Sequence, residues 1–280
     1  MRAKGIDISK WQGTFTYKNN VDFMFVKCSE GTAKDPQYDN FLPEVKKVEL
    51  RGAYHYYRTE VDPVAQAKFF FNAQAGQGFT ALAVDYEKKY NNLTPQAAND
   101  LELFWNKLRE LTNKQILLYT SPYIYRDNLV AHNSFWTTVP IWMAHFNGKD
   151  PETGNPETWG TGWRIWQYSA DGNGKGSEYG VASPDIDLDV FNGGVDALRA
   201  WLGFEMQPPP PPAGNPCDNC EDMLRRIKEL EFLTQEINTD LDTKVAKLDH
   251  MIDNDNIWEK LAQFKRYLHV HQGWRRKYYE

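Results

Sequence analysis

Short apolar runs recur along residues 3–203 of the chain, and most of them are separated by polar or helix-patterned segments. Each run has the length of a buried β-strand and ends in polar side chains. The pattern predicts eight strands, at residues 3–9, 22–28, 52–57, 80–87, 115–120, 140–145, 163–168 and 185–191. Strands that alternate with helices are typical of an α/β fold with a parallel sheet.

Several connections between these strands carry apolar residues at helical spacing. They predict helices at residues 39–50, 63–75 and 94–111, and a closing helix up to residue 201. Thr94-Pro95 is a helix start signal, because proline is favoured at the first helical position. Later connections, such as residues 147–162, are rich in Gly, Asn and Pro instead. We therefore expect an irregular (β/α)8-like barrel over residues 1–206.

The pattern changes after the predicted barrel. Residues 207–216 contain five consecutive prolines, which hold an extended conformation and predict a linker. Residues 217–280 have no strand pattern and are predicted to be all-α. A heptad stripe is formed by Met223, Ile227, Leu230, Thr234, Ile237, Leu241, Lys244 and Leu248. Two interpretations remain open: a coiled coil through which residues 223–268 join protomers into a homo-oligomer, and a helical hairpin within one chain.

Composition and charge narrow the classes of function. The net charge of −6 argues against a nucleic-acid partner, whose phosphates require a basic surface. The sequence contains no apolar segment long enough for a signal peptide or a membrane span. We therefore expect no membrane partner, and synthesis in the cytoplasm of the producing or host cell. Cys217 and Cys220 lack two further ligands at zinc spacing, so no metal is predicted.

Two acidic residues follow the apolar part of the fourth predicted strand. Asp85 and Glu87 are two positions apart, so in a strand their side chains point to one side, while Val84 and Tyr86 point to the other. Carboxyl groups that share one space raise each other's pKa, and one can stay protonated while the other is ionised. Acid–base cleavage of a glycosidic bond requires this arrangement. A pair of solvated loop acids is the alternative interpretation.

Other polar and aromatic residues also fall at strand ends. Active sites of (β/α)8 barrels lie at the carboxyl ends of the strands, where side chains from different strands meet. The acids expected to meet there are Asp7, Asp85, Glu87 and Asp187, from the first, fourth and eighth strands. Candidates for contacts with a sugar are Tyr54, His55, Tyr56, Trp142, His145, Gln167 and Tyr168. For the two histidines, a packed and hydrogen-bonded role is the alternative.

In this order and at this spacing, the strand segments resemble the family 25 glycoside hydrolases, the lysozymes (N-acetylmuramidases) of phage endolysins and bacterial autolysins. The resemblance extends over about residues 4–203. It is carried by GIDISKWQG at 5–13, FVKCSEGT at 25–32, GAYHYYR at 52–58, LAVDYE at 82–87, LYTS at 118–121, IWMAHF at 141–146, WRIWQYS at 163–169 and IDLDVFNG at 186–193.

The resemblance implies cleavage of the β-1,4 bond between N-acetylmuramic acid and N-acetylglucosamine in bacterial peptidoglycan, without a cofactor. It implies that Glu87 is the general acid and that Asp85 orients or stabilises the acetamido group of the substrate. Asp7 and Asp187 would line the same pocket, and a shifted strand register would replace Asp187 by Asp185 or Asp189. The implied substrate contacts are Tyr54, Tyr56 and Gln167, with His55, Trp142 and Tyr168 as further candidates.

The spacing of the acid pair leaves the stereochemistry open. A retaining enzyme with a protein nucleophile has carboxyl groups about 5–5.5 Å apart, and an inverting enzyme has them about 6.5–9.5 Å apart. In a third mechanism, the N-acetyl oxygen of the substrate is the nucleophile. The resemblance favours this third mechanism, which retains the anomeric configuration.

The resemblance also implies a biological setting, namely a phage endolysin or a lytic virion component that acts on the bacterial cell wall after release. Two other interpretations compete with a muramidase. A non-hydrolytic glycan-binding structural protein, multimerised by its C-terminal helices, would have no need of the acid Glu87. A chitinase would carry a string of aspartates before the acid, which the segment at residues 83–87 lacks.

Overall fold

The computed structural model describes residues 1–89, 91–156 and 162–204. Within these ranges, strands and helices alternate over most of the chain. The strands are β1 Lys4–Ile8, β2 Phe23–Glu30, β3 Ala33–Lys34, β4 Leu50–Tyr56, β5 Ala81–Asp85, β6 Gln115–Thr120, β7 Ile141–Ala144, β8 Trp163–Ser169 and β9 Asp187–Phe191. The helices are α1 Tyr38–Val45, α2 Pro63–Gln74, α3 Pro95–Leu111, α4 Pro122–Ile124 and α5 Val195–Trp201.

Eight of these strands close into a barrel. Their order is β1-β9-β8-β7-β6-β5-β4-β2, and β1 also pairs with β2 to complete the ring. The remaining strand, β3, is a two-residue hairpin extension of β2. The predicted (β/α)8-like barrel is therefore confirmed.

The last strand departs from the predicted parallel arrangement. β9 is antiparallel to both of its neighbours, β1 and β8. The connection that precedes it contains two short 3-10 turns, Gly172–Gly174 and Gly176–Tyr179. Parallel strands need a crossover that carries the chain back to the opposite end of the sheet, and this connection makes none. The amino end of β9 therefore lies at the same rim as the carboxyl ends of the other barrel strands.

Residues of β5 alternate between the two faces of the barrel. Ala81 and Ala83 belong to the interior cluster that includes Trp142. Leu82 and Val84 belong to the outer cluster, where the strands pack against the helices. This period of two is what a strand buried on both faces requires.

Aromatic rings fill the amino end of the barrel. Gly5 lies opposite Phe23, and Gly52 lies opposite Phe25. A Cβ atom at Gly5 or Gly52 would come within 2.3 or 2.1 Å of the facing ring, so only glycine fits at either position. The Phe25 ring also packs on Trp142, with ring centres 4.7 Å apart. Packing at this end leaves the barrel cavity to open at the carboxyl ends of the strands.

Several element boundaries differ from the predicted ones, and those of α1 and β9 bear on the fold and the site. α1 ends at Val45, whereas the predicted helix extends to Leu50, because Leu50 begins β4 and pairs with β2. β9 begins at Asp187 rather than at residue 185. α3 has the predicted start, since the Thr94 side chain accepts a hydrogen bond from the backbone N–H of Ala97.

The predicted linker at residues 207–216 and the predicted helical segment at residues 217–280 lie outside the described residues. In the part of the chain that is described, no helix has the length and apolar character needed to cross a membrane.

Candidate active site

A cavity of about 450 Å³ opens at the carboxyl ends of the parallel barrel strands. Three kinds of side chain form most of its lining. The acids are Asp7, Asp85, Glu87 and Asp187, with Glu30 near them. The aromatic residues are Trp11, Tyr54, Tyr56, Tyr119 and Trp142. The cations are Lys10, Lys27, Arg58 and Lys89.

The end of β5 brings Asp85 and Glu87 into this cavity together. Asp85 is the last residue of the strand, and Tyr86 between the two acids is fully buried in the outer cluster. The chain keeps its strand geometry past Asp85, because the N–H of Tyr86 donates to the carbonyl of Tyr119 at 2.9 Å. Asn91 Nδ2 then donates to the carbonyl of Glu87 at 2.9 Å and anchors that residue. The predicted orientation of the two acids toward one space is therefore present.

Burial governs the protonation of this acid pair. Burial raises the pKa of Asp85 well above its usual range, and the charge of Glu87 raises it further. Burial also raises the pKa of Glu87, while the charges of Lys27 and Lys89 oppose that rise. Both shifts favour the protonated form of the carboxyl groups. Burial is thus a larger cause of the raised pKa values than the mutual repulsion of the two acids that their spacing predicts.

One carboxyl oxygen of Asp85 has no hydrogen-bond partner among the residues that the structure describes. Asp85 Oδ1 is buried and accepts no hydrogen bond from the described residues. An unpartnered buried polar atom costs about 1–3 kcal/mol. In a cavity, such an acceptor is suited to a ligand N–H or O–H group, which would complete its hydrogen bonding.

A hydrogen bond from β8, itself supported by one from β6, holds Asp7. Gln167 Nε2 on β8 donates to Asp7 Oδ2 at 2.7 Å, and the Tyr119 hydroxyl on β6 donates to Gln167 Oε1 at 2.9 Å. Burial raises the pKa of Asp7 to about 7, and the hydrogen bond from Gln167 limits the rise. Asp7 therefore titrates near neutral pH, the range in which a carboxyl group both accepts and donates protons.

Asp187 enters the cavity from the amino end of β9. It is the first residue of that strand and lies opposite Asp7 in the antiparallel register. Burial raises its pKa to about 9, with further contributions from Asp7 and Glu87. The prediction that Asp187 ends a strand is wrong, because β9 runs in the reverse direction. Asp185 precedes the strand and is exposed, so this alternative to Asp187 does not apply.

Asp189 is a buried acid that the sequence analysis considered only as a register alternative to Asp187. It is 1% exposed, and Trp142 Nε1 donates to its Oδ1 atom at 2.8 Å. Burial raises the pKa of Asp189 well above the usual range, and the charge of Asp7 raises it further. Its Oδ2 atom accepts no hydrogen bond from the described residues. Asp189 is therefore a buried acid that Trp142 holds near Asp7.

A charged network lines the side of the cavity formed by β2 and β4. Lys27 Nζ lies 2.7 Å from Glu30 Oε2 and 4.7 Å from the centre of the Tyr56 ring. Glu30 Oε1 lies 3.1 Å from Arg58 Nη1. Lys27 is 7% exposed, so its charge acts on the nearby acids with little screening by water.

Five residues of the cavity lining were not predicted as site residues: Lys27, Glu30, Arg58, Trp11 and Tyr119. A signal was available for two of them, since Lys27 and Glu30 lie in the segment FVKCSEGT at residues 25–32, at the end of a buried strand. A charged residue that interrupts an apolar strand near its carboxyl end is unusual enough to mark a site.

Trp142 lines the cavity and also packs against two of its tyrosines. It is 1% exposed, and its ring centre lies 6.2 Å from that of Tyr54 and 5.0 Å from that of Tyr119. The indole therefore supports the two tyrosines from beneath.

His55 does not reach the cavity. Its ring lies on the outer face of β4 between Phe70 and Phe104, with ring centres 5.4 and 5.1 Å away. Its nitrogens lie 2.9 Å from Ser29 Oγ and 3.2 Å from Gln66 Oε1. Burial lowers the pKa of His55 to about 3, so the ring is neutral. The prediction of a sugar contact is therefore wrong, because strand alternation turns this residue away, and the packed alternative applies.

Tyr168 and His145 also lie outside the cavity lining. Tyr168 follows Gln167 on β8 and packs against Trp166, with ring centres 6.0 Å apart. The backbone carbonyl of His145 accepts a hydrogen bond from Trp166 Nε1 at 2.8 Å. Strand alternation again explains the difference, because Gln167 takes the inward position.

The cavity acids are not arranged as a metal site. Among the residues that the structure describes, no group of three or more His, Cys, Asp and Glu side chains could hold a metal ion.

Comparison with known proteins places this geometry in a family. The chain matches the family model described as "Glycosyl hydrolases family 25" over residues 6–177. It is similar to Lysozyme M1 of Streptomyces globisporus, with 28% identity over 217 residues that cover 71% of this chain and 70% of that protein.

Two solved structures share the fold. The bacterial lysozyme from Streptomyces coelicolor superposes with a TM-score of 0.59 at 23% identity, covering 72% of this chain and 97% of that one. The catalytic domain of endolysin ply40 from bacteriophage P40 of Listeria monocytogenes gives a TM-score of 0.57 at 25% identity, covering 72% and 98% of the two chains.

Proposed function

Because the chain belongs to glycosyl hydrolase family 25, and is thus a glycoside hydrolase, we propose that it cleaves the β-1,4 bond between N-acetylmuramic acid and N-acetylglucosamine in bacterial peptidoglycan. The observation that carries this proposal is the placement of Asp85 and Glu87 in one cavity, where burial raises the pKa of both carboxyl groups. The names of the similar lysozymes support peptidoglycan as the substrate.

In this proposal Glu87 is the general acid. Its proton passes to the glycosidic oxygen as the bond to the muramic acid C1 breaks, and the N-acetylglucosamine unit leaves with a free 4-hydroxyl group. Burial supports this role, because it favours the protonated form before the reaction. Lys27 and Lys89 then stabilise the carboxylate that remains, since both charges act on Glu87.

The nucleophile in this proposal is the acetamido oxygen of the substrate. It forms a bond to C1 as the leaving group departs, and gives a cyclic oxazolinium ion. Asp85 Oδ1, a buried acceptor without a partner among the described residues, accepts the acetamido N–H and orients the group. Water then attacks C1 while Glu87 takes back a proton, and the configuration at C1 is retained.

Asp7 and Asp187 face each other across the β1–β9 pairing and complete the acidic part of the pocket. Both have a raised pKa, so each can donate a hydrogen bond to a sugar oxygen as well as accept one. Tyr54, Tyr56 and Gln167 are the proposed sugar contacts, because all three line the cavity.

Identification of the products tests the proposal. Digestion of purified peptidoglycan should release fragments that carry reducing N-acetylmuramic acid ends, as seen by mass spectrometry after borohydride reduction. Reducing N-acetylglucosamine ends would assign a different bond. Absence of any new reducing end would favour the non-hydrolytic glycan-binding alternative.

The mechanism has a separate test. NMR of the product in the first minutes of the reaction should show the β-anomer of the new muramic acid end, before mutarotation mixes the two forms. An initial α-anomer would indicate direct attack by water with inversion.

We further propose that the protein acts as a phage endolysin on the cell wall of the host after release. Similarity to the phage endolysin domain supports this setting, and a lytic virion component is the other form that the same activity could take. Association of protomers through residues 223–268 stays a prediction, because that segment lies outside the described residues.

A further inference from the structure

The cations of the cavity lie along one part of its mouth. Lys27 lies within β2, and Lys10, Arg58 and Lys89 follow β1, β4 and β5; these four strands are consecutive in the barrel. The part of the described lining that comes from β6 to β9 contributes aromatic, amide and acidic side chains and no cation. A bound glycan would therefore meet positive charge along one edge.

Trp11 lies at this positive edge and is 64% exposed. Two ammonium groups face its ring, with Lys10 Nζ 4.9 Å and Lys89 Nζ 5.5 Å from the ring centre. Both distances are within the range of a cation–π contact. We call Lys10, Trp11 and Lys89 the mouth cluster.

A rigid turn presents the mouth cluster. Trp11 lies in the short 3-10 helix Lys10–Gln12, in which Ser9 and Gln12 form a reciprocal capping box. Gln12 Oε1 accepts the backbone N–H of Ser9 at 2.8 Å, and both residues are buried. The turn holds the indole outward although burial would favour a large aromatic ring. The indole is therefore held at the mouth of the cavity, where its ring face is available to a sugar.

Two other cations of this edge, Lys27 and Arg58, form ion pairs with acidic side chains. Lys27 and Arg58 share Glu30, and Arg58 also pairs with Glu60. Lys10, in contrast, forms no ion pair with any residue that the structure describes. The ammonium group of Lys10 is therefore available to an anionic substituent of a bound glycan.

We propose that the mouth cluster is a subsite for the carboxylates that peptidoglycan carries at O3 of muramic acid. The Trp11 ring covers an apolar sugar face, and the ammonium groups of Lys10 and Lys89 bind the carboxylate. Muramic acid bears a lactyl ether at O3, with either a free carboxylate or a stem peptide that has carboxylates of its own. N-acetylglucosamine polymers bear neither group. The inference rests on the proposed function and makes the enzyme selective for acidic glycans.

The buried acids of the cavity do not oppose an acidic substituent as strongly as their number suggests. Burial raises the pKa of Asp187 to about 9, so this side chain is largely protonated at neutral pH, and burial also raises the pKa of Asp85. The substrate carboxylate would thus meet two ammonium groups at the edge and a weakened negative charge inside.

Binding measurements on the full chain test the proposal. Calorimetry with Glu87→Gln, which should not consume the ligand, compares three soluble glycans: peptide-bearing muramyl strands, the same strands stripped by an amidase, and N-acetylglucosamine oligomers. Lys10→Gln with Lys89→Gln is introduced in this background. A matched control, Lys46→Gln with Lys68→Gln, removes two exposed charges outside the cavity lining.

The cluster variant should bind acidic glycans roughly tenfold more weakly, since each surface ion pair contributes a modest amount. Its affinity for N-acetylglucosamine oligomers should match the control. Loss confined to peptide-bearing strands would assign the site to stem-peptide carboxylates, and loss confined to stripped strands would assign it to the lactyl carboxylate. An equal loss on all three glycans, or none beyond the control, would overturn the proposal.

Hydrolysis by the wild-type chain is measured separately. Charge-dependent binding without new reducing ends would refute the proposed function and leave the subsite standing. New reducing ends together with charge-independent binding would support the proposed function and refute the subsite.

Discussion

Gln167 donates a hydrogen bond to Asp7 over 2.7 Å, and the two residues are 160 positions apart in sequence. The contact joins β8 to β1 through the barrel interior, past β9 that lies between them. It fixes the orientation of Asp7 and limits the rise of its pKa, which is about 7. The amide thus controls when the first-strand acid ionises.

Gln167→Leu should raise the pKa of Asp7, because the carboxylate loses its donor while burial remains. We expect the acidic limb of the pH–rate profile to move to higher pH. The rate should fall about 10- to 100-fold, the equivalent of one hydrogen bond to a charged group. Tyr119→Phe is the control, since it removes the outer hydrogen bond and keeps the contact to Asp7. Equal shifts in both variants would contradict a specific role for Gln167.

Asp85→Asn should separate the coupled titration of the acid pair. In the wild type, loss of the last proton leaves two adjacent buried negative charges, whereas in the variant it leaves one on Glu87. The pKa of Glu87 should therefore fall, and the basic limb of the pH–rate profile should move to lower pH. The rate should also drop, because the acetamido group loses its acceptor. An unchanged basic limb would show that the two acids titrate independently.

Much of the fold was predictable because its signals are local. The apolar runs gave β6 with its observed bounds, Gln115–Thr120, and the cap at Thr94 gave the start of α3. The direction of β9 was not predictable in this way. It depends on whether residues 170–186 cross to the opposite end of the barrel, and that is a property of the connection rather than of the apolar pattern.

Strand alternation made part of the site predictable, namely which side chains of a strand point into the barrel. Asp85 and Glu87 share a side because they are two residues apart, and the same rule, applied to Tyr54 and Tyr56, would have turned His55 outward. The place of Asp189 in the site was harder to predict from the sequence. Its contacts with Asp7 and Trp142 depend on the register between β1 and β9, which is a pairing across the closed barrel.

Asp187→Asn should stabilise the fold at alkaline pH. The pKa of Asp187 is about 9 in the folded chain, against about 3.9 for an unfolded Asp. The folded state binds more protons between these values, so the stability is present below pH about 4 and is lost as pH rises toward 9. A neutral Asn avoids this loss. Thermal unfolding should show a higher Tm than wild type at pH 8 and a smaller difference at pH 5.

Asp185→Asn is the matched control for that experiment, since Asp185 is exposed and lies two residues away. A Tm difference that is the same at both pH values would contradict a buried, raised-pKa carboxyl group at position 187.

His55→Ala should affect stability rather than catalysis. The substitution leaves a hole between Phe70 and Phe104 and removes the ring nitrogens that face Ser29 Oγ and Gln66 Oε1. Both the hole and the lost hydrogen bonds are costly, so the free energy of unfolding should fall by about 2–4 kcal/mol. Urea unfolding measures the loss, and kcat/KM of the folded protein at low temperature should stay close to wild type. A large fall in kcat/KM at unchanged stability would restore the sugar-contact interpretation.

The rate of Glu87→Gln on purified peptidoglycan tests the central claim most directly. The amide keeps the shape of the side chain and cannot donate the proton that the glycosidic oxygen needs. We expect the release of reducing ends to fall about 10²–10⁴-fold, while circular dichroism and Tm show an intact fold. A rate within about threefold of wild type would contradict the account, because a general acid contributes far more than that.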